Sequence, residues 1–114
     1  MIKEPKSYPT VKSYLKDLQL HKLEVIIDYI CLINGLDAIT INQRTKKPEI
    51  TEARRLIIYV AKVMYNVNGN YIAERLHLDT AYVSDVTKTT FGITQVDRKY
   101  CDEIDLLIKQ LKCR

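Results

Sequence analysis

From Val11 onward the apolar positions recur every three or four residues, and strict alternation is scarce. That period belongs to α-helices with one buried face. Val11, Tyr14, Leu15 and Leu18 mark a first helix, opened by Pro9 and running to about Leu20. Leu23, Ile26, Ile27, Ile30 and Cys31 mark a second, with Ile33 near its end and Gly35 as a left-handed stop. Asp37 is placed to cap a short turn, DAITI, that returns the chain. The clearest pattern covers about 49–66, where Ala53, Leu56, Ile57, Val60, Ala61 and Met64 form a stripe that predicts central core. Pro48 suits the first turn of that helix, and NVNGN ends it. A short helix over 71–77 and another over 79–89 follow. TTFGITQ reads as a β-rich loop or a weak extended piece around Gly92. The last segment, DRKYCDEIDLLIKQLK, predicts a helix capped by Asp97 with Tyr100, Ile104, Leu107, Ile108 and Leu111 inside. Asp102, Glu103 and Asp105 lie near its start, where carboxylates favour the helix dipole. The predicted fold is all-α, one domain over 1–114.

Within this series IAERLHLDTAYVS, residues 72–84, has the spacing of a helix-turn-helix. Ala73 is small enough for close packing, Leu76 and Leu78 bracket the turn, and Val83 with Val86 anchors the second helix. The left-handed position of the turn falls to His77, which tolerates it at some strain. Asp79 has two readings: an N-cap, or an acceptor for a cytosine amino group. The outward face would carry Asp79, Thr80, Ala81, Ser84, Asp85 and Lys88. Thr80 and Ala81 suit a thymine methyl, and Ser84 suits a base or phosphate. Tyr82, at the edge, either stacks on nucleic acid or covers the apolar seam.

Charge changes this picture only locally. Eighteen Lys and Arg against fourteen Asp and Glu give +4, which permits a polyanionic partner without demanding one. The bias concentrates in NQRTKKPEITEARR, residues 42–55. Arg44, Lys46, Lys47, Arg54 and Arg55 stand there against Glu49 and Glu52. A basic loop before a helix can follow a phosphate backbone or enter a minor groove, or it is simply solvated. Cys31, Cys101 and Cys113 form no Cys-x-x-Cys and no spacing with His21 or His77 that would hold a metal. They read as inert, reduced thiols of a cytoplasmic protein. The start of the chain, MIKEPKSYPT, lacks the apolar core of a signal peptide, and no apolar run approaches the ~20 residues of a membrane span. No catalytic constellation, metal set or cofactor motif is present, so a non-enzyme is expected.

INQRTKKPEITEARRLIIYVAKVMY resembles the start of the C-terminal DNA-binding domain of the bacterial chromosomal replication initiator DnaA. The family's basic loop, Glu-Ile pair, Ala-Arg pair and apolar helix correspond to Arg44 to Lys47, Glu49-Ile50, Ala53-Arg54 and Leu56 to Met64. DRKYCDEIDLLIKQL resembles its closing helix, and the likeness covers about residues 24–111. The resemblance implies a Trp-repressor-like helical domain over 21–111, a helix-turn-helix at 71–89 and an N-terminal helical extension over 1–20. It implies that Lys46 takes the place of a groove-inserting Arg and that Arg54 matches an Arg that binds DNA. The family's major-groove signature is Gly-Gly-Arg/Lys-Asp-His-Thr-Thr-Val. Here the turn is one residue shorter; Asp79 and Val83 match, while Leu78, Thr80, Ala81 and Tyr82 depart from it. The initiator's phosphate-binding Gly-x-x-x-x-Gly-Lys-Ser/Thr loop is absent from this chain.

The expectation is therefore a stand-alone, divergent relative that binds double-stranded DNA without ATPase activity, in replication initiation or its regulation. Arg44, Lys46, Lys47, Arg54, Arg55 and Lys88 would grip phosphate or minor groove, and Asp79, Thr80, Ala81 and Ser84 would enter the major groove. The alternative is a helical protein-interaction module that has lost base reading and meets replication or regulatory proteins. The sequence leaves the oligomeric state open.

Overall fold

The computed structural model describes residues 11–37, 39–42 and 47–112. The protein is all-helical, and no strand occurs among the described residues. Five α-helices follow in order: α1 (Val11–Asn34), α2 (Pro48–Tyr59), α3 (Gly69–Leu76), α4 (Thr80–Val96) and α5 (Arg98–Lys112). A 3-10 turn, Thr40–Asn42, precedes α2, and a π-helical turn, Val60–Met64, extends it.

The first 24 helical residues form one helix, not an extension followed by a second helix. Nothing between Leu20 and Leu23 breaks a helix, since His21 and Lys22 continue it at small cost. Its C-terminal half buries Leu23, Ile26, Ile27 and Ile30 completely or nearly so. Gly35 ends it at φ +66°. The Gly35 N–H donates to the Leu32 carbonyl at 3.2 Å and the Leu36 N–H to that of Cys31 at 2.8 Å, which satisfies the last carbonyls.

α2 packs against α1 and α4 and supplies Ile50, Ala53, Ile57 and Ile58 to the core. Pro48 stands in its first turn, as its missing N–H predicts. The π turn then adds a residue to one turn and shifts the phase. Val60 and Ala61 stay buried, Met64 swings out to solvent, and Val67 takes a core place. The Val67 N–H reaches back to the Ala61 carbonyl at 2.9 Å. The expected stripe thus breaks at its last member.

TTFGITQ is helical, not extended, and lies inside α4. Val83 and Thr90 are buried seven residues apart, with Val86 and Ile93 half-buried on the same face. That stripe packs on α2 and α5 and outweighs the modest helix preference of Thr, Ile and Gly. Gly92 faces open space. Asp97 alone separates α4 from α5, and its carboxylate accepts the Tyr100 N–H at 3.0 Å. The first turn of α5 holds no carboxylate, so Asp102, Glu103 and Asp105 sit too far along to complement the dipole. Ile104, Leu107, Ile108 and Leu111 are buried as the pattern predicts.

No helix among the described residues is long and apolar enough to cross a membrane. Cys31 is buried, and burial pushes its thiol pKa up, with Asp28 adding to the effect. That opposes thiolate reactivity.

Candidate nucleic-acid interface

α3, the turn His77-Leu78-Asp79 and α4 form a helix-turn-helix. Asn68 starts it: its Oδ1 accepts the Asn70 N–H at 2.8 Å, while its own N–H donates to Gln19 Oε1 of α1 at 2.8 Å. Ile72, Ala73, Leu76 and Val83 are buried, which locks the two helices together. His77 takes the left-handed conformation, φ 58° and ψ 47°. The Leu78 N–H then donates to the Ala73 carbonyl at 2.8 Å, the same closure that Gly35 makes at the end of α1.

The outward face of α4 is the expected one. Thr80, Ala81, Ser84, Asp85 and Lys88 are exposed, and Tyr82 is 43% exposed. Asp79 occupies the N-cap position with extended backbone, and its carbonyl accepts the Val83 N–H at 3.1 Å. Its carboxylate makes no cap hydrogen bond, so the capping role expected of that side chain is not taken up. The Thr80 hydroxyl instead ties the start of α4 to α3, donating to Asn70 Oδ1 at 3.3 Å.

Beside Thr80 and Ser84 lies a cleft of about 220 Å³ lined also by Lys62, Asn68, Gly69 and Asn70. The first turns of α3 and α4 both open onto it. Lys62 reaches it from the π turn, its Nζ 3.5 Å from where a Cβ at Gly69 would stand. An ammonium, two hydroxyls, two amide side chains and two helix N-termini make surroundings that favour an anion. Lys62 was not among the residues expected from sequence. It stands in an apolar stretch, and only the π turn and the reversal at 65–68 carry it to the α3 start.

The basic stretch behaves differently. Arg44 and Lys46 lie outside the described residues. Lys47 is exposed just before α2. Arg54 is only 9% exposed, and its Nε donates to the Ile41 carbonyl at 2.8 Å. It therefore fastens the 3-10 turn to α2, and its removal from the surface corrects the expectation of a DNA contact. Arg55 is half-buried and paired with Glu52 at 3.2 Å. Glu52 also accepts the Tyr100 hydroxyl at 3.2 Å. Burial, with Glu52 nearby, pushes Tyr100 up to about 12. A further cation, Arg75 of α3, is engaged inside the fold: it forms an ion pair with Glu24 of α1 and donates to Asn42 Oδ1 at 3.0 Å.

His21 and His77 are both exposed and lie on separate elements. Among the described residues no three His, Cys, Asp or Glu side chains gather to hold a metal ion. No protein-family model, no curated protein and no solved structure matches this chain.

Proposed function

We propose that the protein binds double-stranded DNA through its helix-turn-helix. The observation that carries this reading is the open N-terminal face of α4 beside the Lys62 cleft. Thr80, Ala81 and Ser84 would meet base edges in the major groove, with Asp79 accepting from a base amino group. Lys62 and the α3 N-terminus would hold one phosphate, and Lys88 another. Lys47, together with Arg44 and Lys46, would follow the backbone or enter the neighbouring minor groove. The likeness of 24–111 to the initiator's DNA-binding domain supports the same division of labour, and with it a role in replication initiation or its control without ATPase activity.

A second reading is a protein-interaction module. It draws on the two carboxylates, Asp79 and Asp85, on the α4 face, and on the loss of Arg54 to the interior. Salt separates the two. For a DNA binder, affinity for random duplex falls steeply with salt, and log K against log [salt] has a slope of roughly −0.9 per phosphate neutralised. Lys46→Glu with Lys47→Glu weakens all duplexes about equally. Undetectable binding to duplex DNA at low salt would overturn the DNA reading in favour of the protein module. If sequence preference survives replacement of Thr80, Ala81 and Ser84 together, α4 does not read bases.

A further inference from the structure

α1 runs beside α3 in the same sense. The start of α3 meets Lys16 and Gln19: the Lys16 ammonium lies 5.3 Å from the centroid of the Tyr71 ring, and Gln19 Oε1 accepts the Asn68 N–H at 2.8 Å. The last turn of α3 meets Glu24, the ion-pair partner of Arg75. Ahead of Lys16, α1 therefore passes the N-terminus of α3 and runs on beyond it, and Val11, Lys12, Tyr14 and Leu15 are exposed there. The inner face of α1 changes character along this length. Leu23, Ile26, Ile27 and Ile30 are buried on it. The helical period continues the same face through Gln19 and Lys16 to Lys12. Asp17 lies about 100° around the helix from Lys16 and is off that face. The face is apolar over the core and basic where it clears α3.

We propose that this overhang is an arm that grips duplex DNA, with Lys12 and Lys16 on backbone phosphates next to the one met by Lys62 and the start of α3. The inference rests on the DNA reading above and extends its surface to an element that carries none of the expected contacts. A helix that passes the α3 N-terminus in the same direction lies along the backbone which that N-terminus meets. Asn68 joins the two parts: Gln19 holds its N–H, and it also lines the Lys62 cleft. The Tyr71 ring holds the Lys16 ammonium on one side and leaves N–H donors for a phosphate on the other. Lys12 stands one turn further out, about 6 Å along the axis, and is exposed. Lysines at such positions supply affinity and not sequence preference, because a phosphate is the same at every base.

Fluorescence anisotropy of the full chain on a random-sequence duplex of about 30 bp measures affinity across a range of salt, with circular dichroism as the check on folding. Lys12→Gln with Lys16→Gln weakens binding about tenfold near 0.1 M salt and makes the salt slope shallower by about 2, at unchanged helicity. Lys12→Arg with Lys16→Arg keeps the wild-type slope, since both charges remain. Lys99→Gln with Lys109→Gln removes the same charge from α5 and leaves the slope unchanged. An unaltered slope in the Lys12 and Lys16 glutamine variant, with the wild type binding duplex, overturns the arm and leaves the DNA reading standing. So does an equal loss from the α5 pair, which would make the effect one of net charge. A wild type that ignores duplex DNA at low salt overturns the DNA reading, and the arm with it.

Discussion

The arginines of α2 and the polar residues of the α4 face, with Lys62 beside them, lie in opposite settings. In the first, arginines are engaged within the protein. Arg54 holds the Ile41 carbonyl, and Arg55 shares Glu52 with Tyr100. In the second, Thr80, Ser84, Lys62 and Lys88 stay at the surface, and the turn is closed by backbone hydrogen bonds. A guanidinium has five donors and a long apolar stem, which makes it a good internal tie. A short hydroxyl or a lysine at a helix start has less to gain inside. The difference teaches that density of charge in a sequence is a poor map of charge offered to a ligand.

The largest expected effect tests the inner side of that contrast. Arg54→Ala should cost about 2–3 kcal/mol in urea unfolding, because it strands a buried carbonyl and removes the packed stem. Arg55→Ala, at a half-buried pair near the surface, should cost under about 1 kcal/mol. Equal costs for the two would erase the distinction. The outer side is tested by Lys62→Ala. Stability should be unchanged, duplex affinity about tenfold weaker near 0.1 M salt, and the salt slope shallower by about 1. A stability loss with an unaltered slope would make Lys62 another internal tie.

Two smaller effects sharpen the comparison further. Replacing His77 with Gly should stabilise by about 0.5–1 kcal/mol in thermal or urea unfolding, since glycine adopts φ 58° without Cβ strain. A destabilised variant would show that the imidazole itself holds the turn. The smallest effect concerns Tyr100. Its folded pKa lies above the ordinary 10.0, at about 12, through burial and then Glu52. The raised value means that its contribution is complete below pH 10.0 and is lost as pH rises towards about 12. Unfolding curves across that window should show the decline in the wild type and a shallower one in Tyr100→Phe.

Much of the fold was legible because the core is built on repeats of three and four. Ala53, Ile57, Val60, Ile72, Leu76, Ile104 and Leu111 are buried where the pattern put them. The left-handed turn at His77 was legible too, since a helix-turn-helix must reverse there. Three things were not. The helix through Leu20 and His21 depends on the absence of any breaker, which is a weak signal. The helical state of TTFGITQ contradicts local preference and exists because Thr90 and Ile93 continue the stripe of Val83 and Val86. The phase shift at Val60–Met64 leaves no mark in the pattern, and through it Lys62 reaches the candidate site.

Local periodicity by itself determined that this protein is all-helical, where its core stripes run and where its helix-turn-helix lies. These follow from side-chain spacing along a helix, which a sequence states directly. Only the tertiary structure decided which charges remain for a partner. Whether Arg54 points to solvent or to the Ile41 carbonyl depends on where a turn thirteen residues away comes to rest. Whether Lys62 lines one cleft with Thr80 and Ser84 depends on the π turn and the reversal at 65–68. Such meetings are long-range and compete with hydration, so they are settled by packing and not by the order of residues alone.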